Sequence, residues 1–165
     1  MIDYDDVHLI LEYKAGEEWG DIVAPRANRY ILHNDQNNPT INSLESFDEL
    51  LSEFNPKLFV VSGLQMLDNY PFKNDLREKR IQKVQEQIAK QGKSTLIHFE
   101  MASYVELELL ELLLKYVIPY SDSLGMNEQE IDNLQSVIVD GKISFSADSN
   151  PRVAKTLTQM RTIFR

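Results

Sequence analysis

Two glutamates stand out by what precedes them. Glu100 closes the segment S-T-L-I-H-F-E, and Glu130 closes S-L-G-M-N-E-Q-E, 30 positions later. Each follows what reads as a short strand of a parallel sheet. In an open α/β sheet the carboxyl ends of the strands line the ligand crevice. Two carboxylates delivered there suit a hard divalent cation such as Mg²⁺, which is usually held by one or two carboxylates plus substrate phosphates. Each residue also has a plainer role open to it. Glu100 can be a solvated loop end or a helix cap. Glu130 stands three positions after Asn127, the spacing of a capping box, and the free N–H groups of such a helix start also attract phosphate. His98, on the same strand as Glu100, reads as a hydrogen-bonded core histidine.

Two further residues carry chemistry earlier in the chain. His8 lies on one face of an alternating stretch, V-H-L-I-L-E-Y, together with Glu12. Arg29 lies in R-A-N-R-Y-I. By residue type alone, His8 is a surface or interface histidine, Glu12 is solvated, and Arg29 is a surface cation or ion-pair partner.

The elements that must position these groups follow from periodicity and turn chemistry. Residues 7–13 and 28–33 alternate as strands and read as a β-hairpin or as two neighbouring antiparallel strands, joined through K-A-G-E-E-W-G-D, a turn-rich connection. Tyr13 and Trp19 are aromatics for packing within this flap. A helix capped by Asn42 or Ser43 runs to residue 54. Residues 58–61 form a continuous apolar run, expected for a strand buried on both faces, and Ser62-Gly63 breaks it. Gly63 there suggests a close approach of backbone. Helical spacing returns over 75–91, with Gly92 as its stop. Residues 95–99 form a second buried strand, 104–117 a helix ended by Pro119, and 120–124 a short third strand weakened by Ser121, Asp122 and Ser123. Residues 127–137 form a helix with an acidic first turn. A loop spans 144–150, and a last helix runs from 151 to 164. The alternation of helices and strands predicts an α/β fold, a parallel sheet with covering helices. The two early strands belong to a separate flap.

Composition closes off several classes. Formal net charge is −9, from 17 basic and 26 acidic residues, which argues against a nucleic-acid or anionic-membrane partner. There is no cysteine, so disulfides and thiolate metal sites are excluded. No run of about 18 apolar residues suggests a transmembrane helix, and the acidic start M-I-D-Y-D-D lacks the basic start and apolar run of a signal peptide.

The combination H-L-I-L-E-Y, A-P-R-A-N-R-Y-I, S-G-L-Q, H-x-E and N-E-x-E, in this order, resembles the ADP-dependent glucokinase/phosphofructokinase family, with its animal glucokinase branch the most similar. The resemblance covers roughly residues 7–135. It implies a ribokinase-like sheet with covering helices (residues 37–165, the middle of a large α/β domain) and strands of a small lid domain (residues 1–36). It implies that Glu100 and Glu130 hold the Mg²⁺ of a Mg–ADP complex, Glu130 through water. By the same resemblance Asn127 contacts the nucleotide, Arg29 reaches its phosphates from the lid, and His8 contacts the sugar. Arg26 is a weaker phosphate candidate. The implied reaction is D-glucose plus ADP giving glucose 6-phosphate and AMP, by a monomer. In the animal branch the resemblance points to the endoplasmic reticulum or secretory pathway, otherwise to the cytoplasm.

The family's general base is an aspartate in Gly-x-Gly-Asp, whose amides also form the anion hole. That sequence does not occur here; the six glycines are 16, 20, 63, 92, 125 and 141. The Gly-Gly-Gln segment that carries sugar contacts in the family is absent too. The expectation is therefore an internal piece of a longer kinase that holds a metal corner without its base. The alternative is a non-catalytic paralogue or interaction module that keeps the fold.

Overall fold

A computed structural model describes residues 7–35, 38–68, 70–144 and 152–164. The chain forms two compact units, Met1–Asn38 and Pro39–Arg165.

In the first unit β1 (Val7–Tyr13) pairs antiparallel with β4 (Asn28–Asn34). The register sets His8 opposite His33, Ile10 opposite Ile31 and Glu12 opposite Arg29. Cross-strand partners share a face and so do alternate residues. His8, Ile10, Glu12, Arg29 and Ile31 therefore lie on one side. The connection is more ordered than its composition suggests. β2 (Glu18–Trp19) and β3 (Ile22–Val23) form a second small hairpin. It is closed by hydrogen bonds from Gly16 N to Ala24 O (2.8 Å) and from Ala24 N to Glu17 O (2.9 Å). Tyr13 and Trp19 meet edge to face at 5.8 Å.

The second unit is built on a three-stranded parallel sheet in the order β5 (Leu58–Val61), β6 (Leu96–Glu100), β7 (Ser123–Gly125). α1 (Leu44–Phe54) precedes β5, α2 (Leu76–Ala89) joins β5 to β6, and α3 (Leu107–Tyr116) joins β6 to β7. α4 (Glu128–Asp140) follows β7, and α5 (Val153–Ile163) comes last. The sheet contributes Phe59, Val61, Ile97 and Phe99 to one apolar core. They meet Ile81, Val84 and Ile88 of α2, Leu109, Leu110 and Leu113 of α3, and Leu134 and Val137 of α4. A fully buried side chain of this size stabilises by about 1.5–3 kcal/mol, so this core is the main source of the unit's stability. Two buried polar side chains tie distant segments together: Gln87 donates to Leu44 O and Thr95 to Pro56 O.

Five expectations need correction. Residues 58–61 are not buried on both faces: Phe59 and Val61 are, while Leu58 and Val60 are 53% and 49% exposed. The helices pack on the Phe59 side, and among the described residues nothing covers the other. The helix expected from 104 begins at Leu107, because the Asp68 carboxylate takes the N–H groups of Val105 (2.7 Å) and Glu106 (3.0 Å) and leaves Glu106 extended. Ser43 stands at the start of α1 without a side-chain cap. Gly92 does not close α2 in a left-handed conformation; Lys90 is the C-cap and its N–H bonds to Glu86 O. Gly63 faces open space, and its φ of +81° is what calls for glycine there.

The short third strand is preceded by a 3₁₀ turn (Ile118–Tyr120). Pro151 and residues 145–150 lie outside the described residues. Among the described residues no helix is long and apolar enough to cross a membrane.

Candidate active site

Glu100 is the last residue of β6 and stands in register with Gly125, the last of β7. The two backbones are tied again one step on, where Met101 N donates to Gly125 O at 2.9 Å. The Glu100 side chain lies over Gly125 so closely that a methyl group there would fall 1.9 Å from Glu100 Oε2 and 2.8 Å from its carboxyl carbon. Glycine at 125 thus forms a seat for the carboxylate.

Two residues further on, Asn127 opens α4. Its Oδ1 accepts from Gln129 N (3.0 Å) and Glu130 N (2.9 Å). In return Glu130 Oε2 accepts from Asn127 N and Oε1 from Asn127 Nδ2, each at 2.9 Å. This is a complete capping box. Two residues of chain span at most about 7 Å. The structure therefore brings Glu100, Asn127 and Glu130 to one corner, where β7 turns into α4 at the carboxyl edge of the sheet.

The corner suits a cation that brings most of its ligands with it. Glu100 is 53% exposed by side chain, and Glu130 is half-buried. Each carboxylate oxygen has lone pairs left after the bonds above. Among the described residues no group of three or more His, Cys, Asp or Glu could hold a metal. Among the described residues the corner thus holds no closed cage; Glu100 and Glu130 are two hard oxygen donors, the kind that Mg²⁺ takes.

Several residues at this corner are not evident in the sequence. His98 is no core histidine. It is 27% exposed by side chain and lies on the uncovered face of the sheet, with Nδ1 2.8 Å from Ser123 Oγ and Nε2 3.1 Å from Glu100 Oε2. The polar residues that weakened the third strand are the ones that fix it: Asp122 Oδ2 accepts from Ile97 N at 2.7 Å. Asp68 and Asn133 hold the loop after Glu100 from two sides, Asp68 at Val105 and Glu106, Asn133 by donating to Tyr104 O at 3.0 Å. Burial raises the Asp68 carboxyl above its ordinary value, against the pull of those two N–H groups. The Tyr104 hydroxyl is buried and unbonded; burial, then the nearby Glu130 and Asp68 carboxylates, raise it so that it stays neutral.

In the first unit His8 and Arg29 sit on one face of the hairpin, about 13 Å apart along β1 by strand rise. His8 Nε2 is 3.6 Å from Asp35 Oδ2. Arg29 is exposed, with Nη1 4.0 Å from Glu12 Oε1, at the edge of an open cleft of about 610 Å³ that Tyr13, Lys14 and Asn28 help to line. An exposed pair at this distance holds neither partner firmly, so the guanidinium is available to an anion. Arg26 is also exposed.

Fold and corner together define a class: an α/β protein of the ribokinase-like type, with carboxylates at the carboxyl edge of its parallel sheet. Solved structures agree on the fold. A last common ancestor of ADP-dependent phosphofructokinases from Methanosarcinales superposes with a TM-score of 0.64 at 23% identity, over 98% of this chain and 36% of that one. An ADP-dependent kinase in complex with fructose-6-phosphate and ADPβS gives 0.58 at 21%, over 82% and 31%.

Sequence gives the family. The family model described as "ADP-specific Phosphofructokinase/Glucokinase conserved region" matches residues 1–165, and the chain belongs to this family. It is 41% identical over 130 residues to the ADP-dependent glucokinase of Bos taurus, covering 78% of this chain and 26% of that protein. It is 31% identical over 133 residues to a probable ADP-dependent glucokinase of Caenorhabditis elegans, covering 81% and 26%. The chain thus spans about a quarter of the length of these curated relatives.

Proposed function

We propose that this chain supplies the metal–nucleotide corner and part of the lid of an ADP-dependent sugar kinase whose acceptor is the 6-hydroxyl of D-glucose and whose products are glucose 6-phosphate and AMP. The observation that carries the reading is the seating of Glu100 over Gly125 beside the Asn127–Glu130 capping box. The similarity to the Bos taurus glucokinase supports glucose over fructose 6-phosphate.

Mg²⁺ bound with ADP would neutralise charge on the phosphates, which is the larger part of catalysis in phosphoryl transfer. In this reading Glu100 and Glu130 orient that ion, Glu130 through water. Asn127 and the free N–H groups at the start of α4 receive the nucleotide. The Arg29 guanidinium, with its fixed charge and forked donors, meets the transferred phosphoryl oxygens. His8 offers the sugar one donor and one acceptor. Residues 1–36 are part of the lid, and residues 37–165 the middle of the large domain. In this reading the protein is a monomer, in the endoplasmic reticulum or secretory pathway as in the animal branch, otherwise in the cytoplasm.

The base that takes the sugar proton is an aspartate that this sequence does not contain. The 165-residue chain alone is therefore expected to have little or no activity, since loss of a general base and of an oxyanion-type hole each removes about 10²-fold or more in rate. The second reading is a non-catalytic member of the family that keeps the fold. An assay of ADP-driven glucose phosphorylation, with host kinases excluded, tests both. Activity in the longest protein that contains this chain, lost on Glu100→Gln, supports the kinase. No activity in that protein, with the fold intact, supports the second reading. Robust turnover by the 165 residues alone would overturn the assignment of the base.

A further inference from the structure

We propose that Ser123 and His98 are positioning residues: a hydrogen-bond relay that runs from the Ser123 hydroxyl through the His98 ring to Glu100 and, with Gly125 as the seat, fixes the carboxylate toward its divalent cation. The inference rests on the reading of Glu100 as a metal-site carboxylate.

The relay implies one arrangement of protons. An ionised carboxylate only accepts, so the His98 Nε2 that lies 3.1 Å from Glu100 Oε2 carries the hydrogen and donates it. A neutral imidazole then has Nδ1 as acceptor, and the hydroxyl 2.8 Å away on Ser123 donates to it. The relay runs across β6 and β7, whose register sets His98 opposite Ser123 and Glu100 opposite Gly125. Each hydrogen bond therefore joins groups that the sheet already holds together. The seat completes it. Without a side chain at 125 the carboxylate drops onto the β7 backbone, where His98 Nε2 reaches it from the side; a Cβ there would also fall 3.1 Å from that nitrogen. Outer partners of this kind commonly change metal affinity by about 10–100-fold when removed.

Gly125→Ala is a clean probe. Gly125 is outside the left-handed region, so alanine suits its backbone. What a methyl meets is the tip of a flexible glutamate, which can swing away. The variant is expected to fold and to lose the carboxylate's position. Ser123→Ala removes the start of the relay, and Ser123→Thr restores the hydroxyl.

Two readouts on the full chain test the relay. In the first, calorimetry with Mn²⁺–ADP is run on the wild type, Ser123→Ala, Ser123→Thr, Gly125→Ala and Glu100→Gln. Affinity is expected to fall at least tenfold in Ser123→Ala and Gly125→Ala, to recover in Ser123→Thr, and to fall furthest in Glu100→Gln, with melting temperatures unchanged. In the second, ¹⁵N NMR reports the imidazole tautomers without any ligand. With only three histidines in the chain, His98 can be assigned by mutation. It is expected as the Nε2–H tautomer with a pyridine-like Nδ1, and that preference should weaken in Gly125→Ala. If Glu100→Gln loses affinity while Ser123→Ala and Gly125→Ala keep it, the relay is wrong and the metal role stands. If Glu100→Gln keeps full affinity, both are wrong. A His98 protonated at Nδ1 in the wild type overturns the relay by itself.

Discussion

Glu130 folds back on Asn127 and gives both carboxylate oxygens to it, one to the backbone N–H and one to the side-chain amide, each at 2.9 Å. The same side chain is therefore a helix cap and a candidate outer-shell metal group. The two roles separate by substitution. Glutamine keeps one acceptor oxygen for the Asn127 N–H, as a capping box allows, but gives up the bond from Asn127 Nδ2 and brings no charge. Glu130→Gln is expected to change stability by less than about 0.5 kcal/mol while it weakens Mg–ADP binding. Asn127→Ala removes the cap itself and should cost about 1 kcal/mol. Urea titration of both variants, beside calorimetry with Mg–ADP, checks this. Equal loss of stability in the two would show that Glu130 acts as a cap alone.

Asp68 anchors the loop that follows Glu100 through the N–H groups of Val105 and Glu106. Asp68→Ala leaves both donors without a side-chain acceptor and is expected to destabilise the chain by about 1–2 kcal/mol, as loss of a helix cap does. Asp68→Asn keeps one acceptor oxygen and should cost less. Denaturant midpoints of the two variants give the comparison.

The last helix is held by a pH-dependent contact. Asp132 on α4 accepts from Gln159 Nε2 on α5 and pairs with Lys155 Nζ at 3.0 Å. Its carboxyl lies below the ordinary 3.8: burial pushes it up, but Lys155, Gln159 and Ser144 together outweigh burial. An acid whose folded-state value is depressed adds stability above its unfolded value, and that stability is lost as pH falls through the folded value. α5 is expected to loosen below 3.8 and to stay docked at neutral pH. Amide exchange of α5 residues across that window measures it. In Lys155→Met the loosening should move to higher pH.

In the core, Phe99, which precedes Glu100 on β6, is fully buried. Phe99→Ala is expected to cost about 3–5 kcal/mol, enough to unfold a marginal domain. Thermal unfolding followed by circular dichroism checks this, and a loss under about 1 kcal/mol would mean that the sheet is not packed as described.

What could be read from the chain divides by range. The capping box at Asn127 and the alternation of helices with parallel strands are local patterns, and both are present in the structure. The start of α3 departs from the periodic pattern because its determinant, Asp68, binds N–H groups 37 and 38 positions further along the chain. Residues 58–61 read as doubly buried because an apolar run carries no sign of which face a neighbour covers. His98 looked like core for the same reason: its face is set by the strand, and its partners Ser123 and Glu100 come from register. The seat at Gly125 has no local signature, since its φ is ordinary and only the tertiary approach of Glu100 requires glycine.

The most direct test is a double-mutant cycle on Mg–ADP affinity with Glu100→Gln, Glu130→Gln and the pair, in the longest protein that contains this chain. Two carboxylates serving one ion are coupled, so the paired variant should lose less than the sum of the single losses, by about 1 kcal/mol or more. Losses that add to within about 0.5 kcal/mol, or no loss in either single variant, would contradict a shared magnesium–nucleotide position.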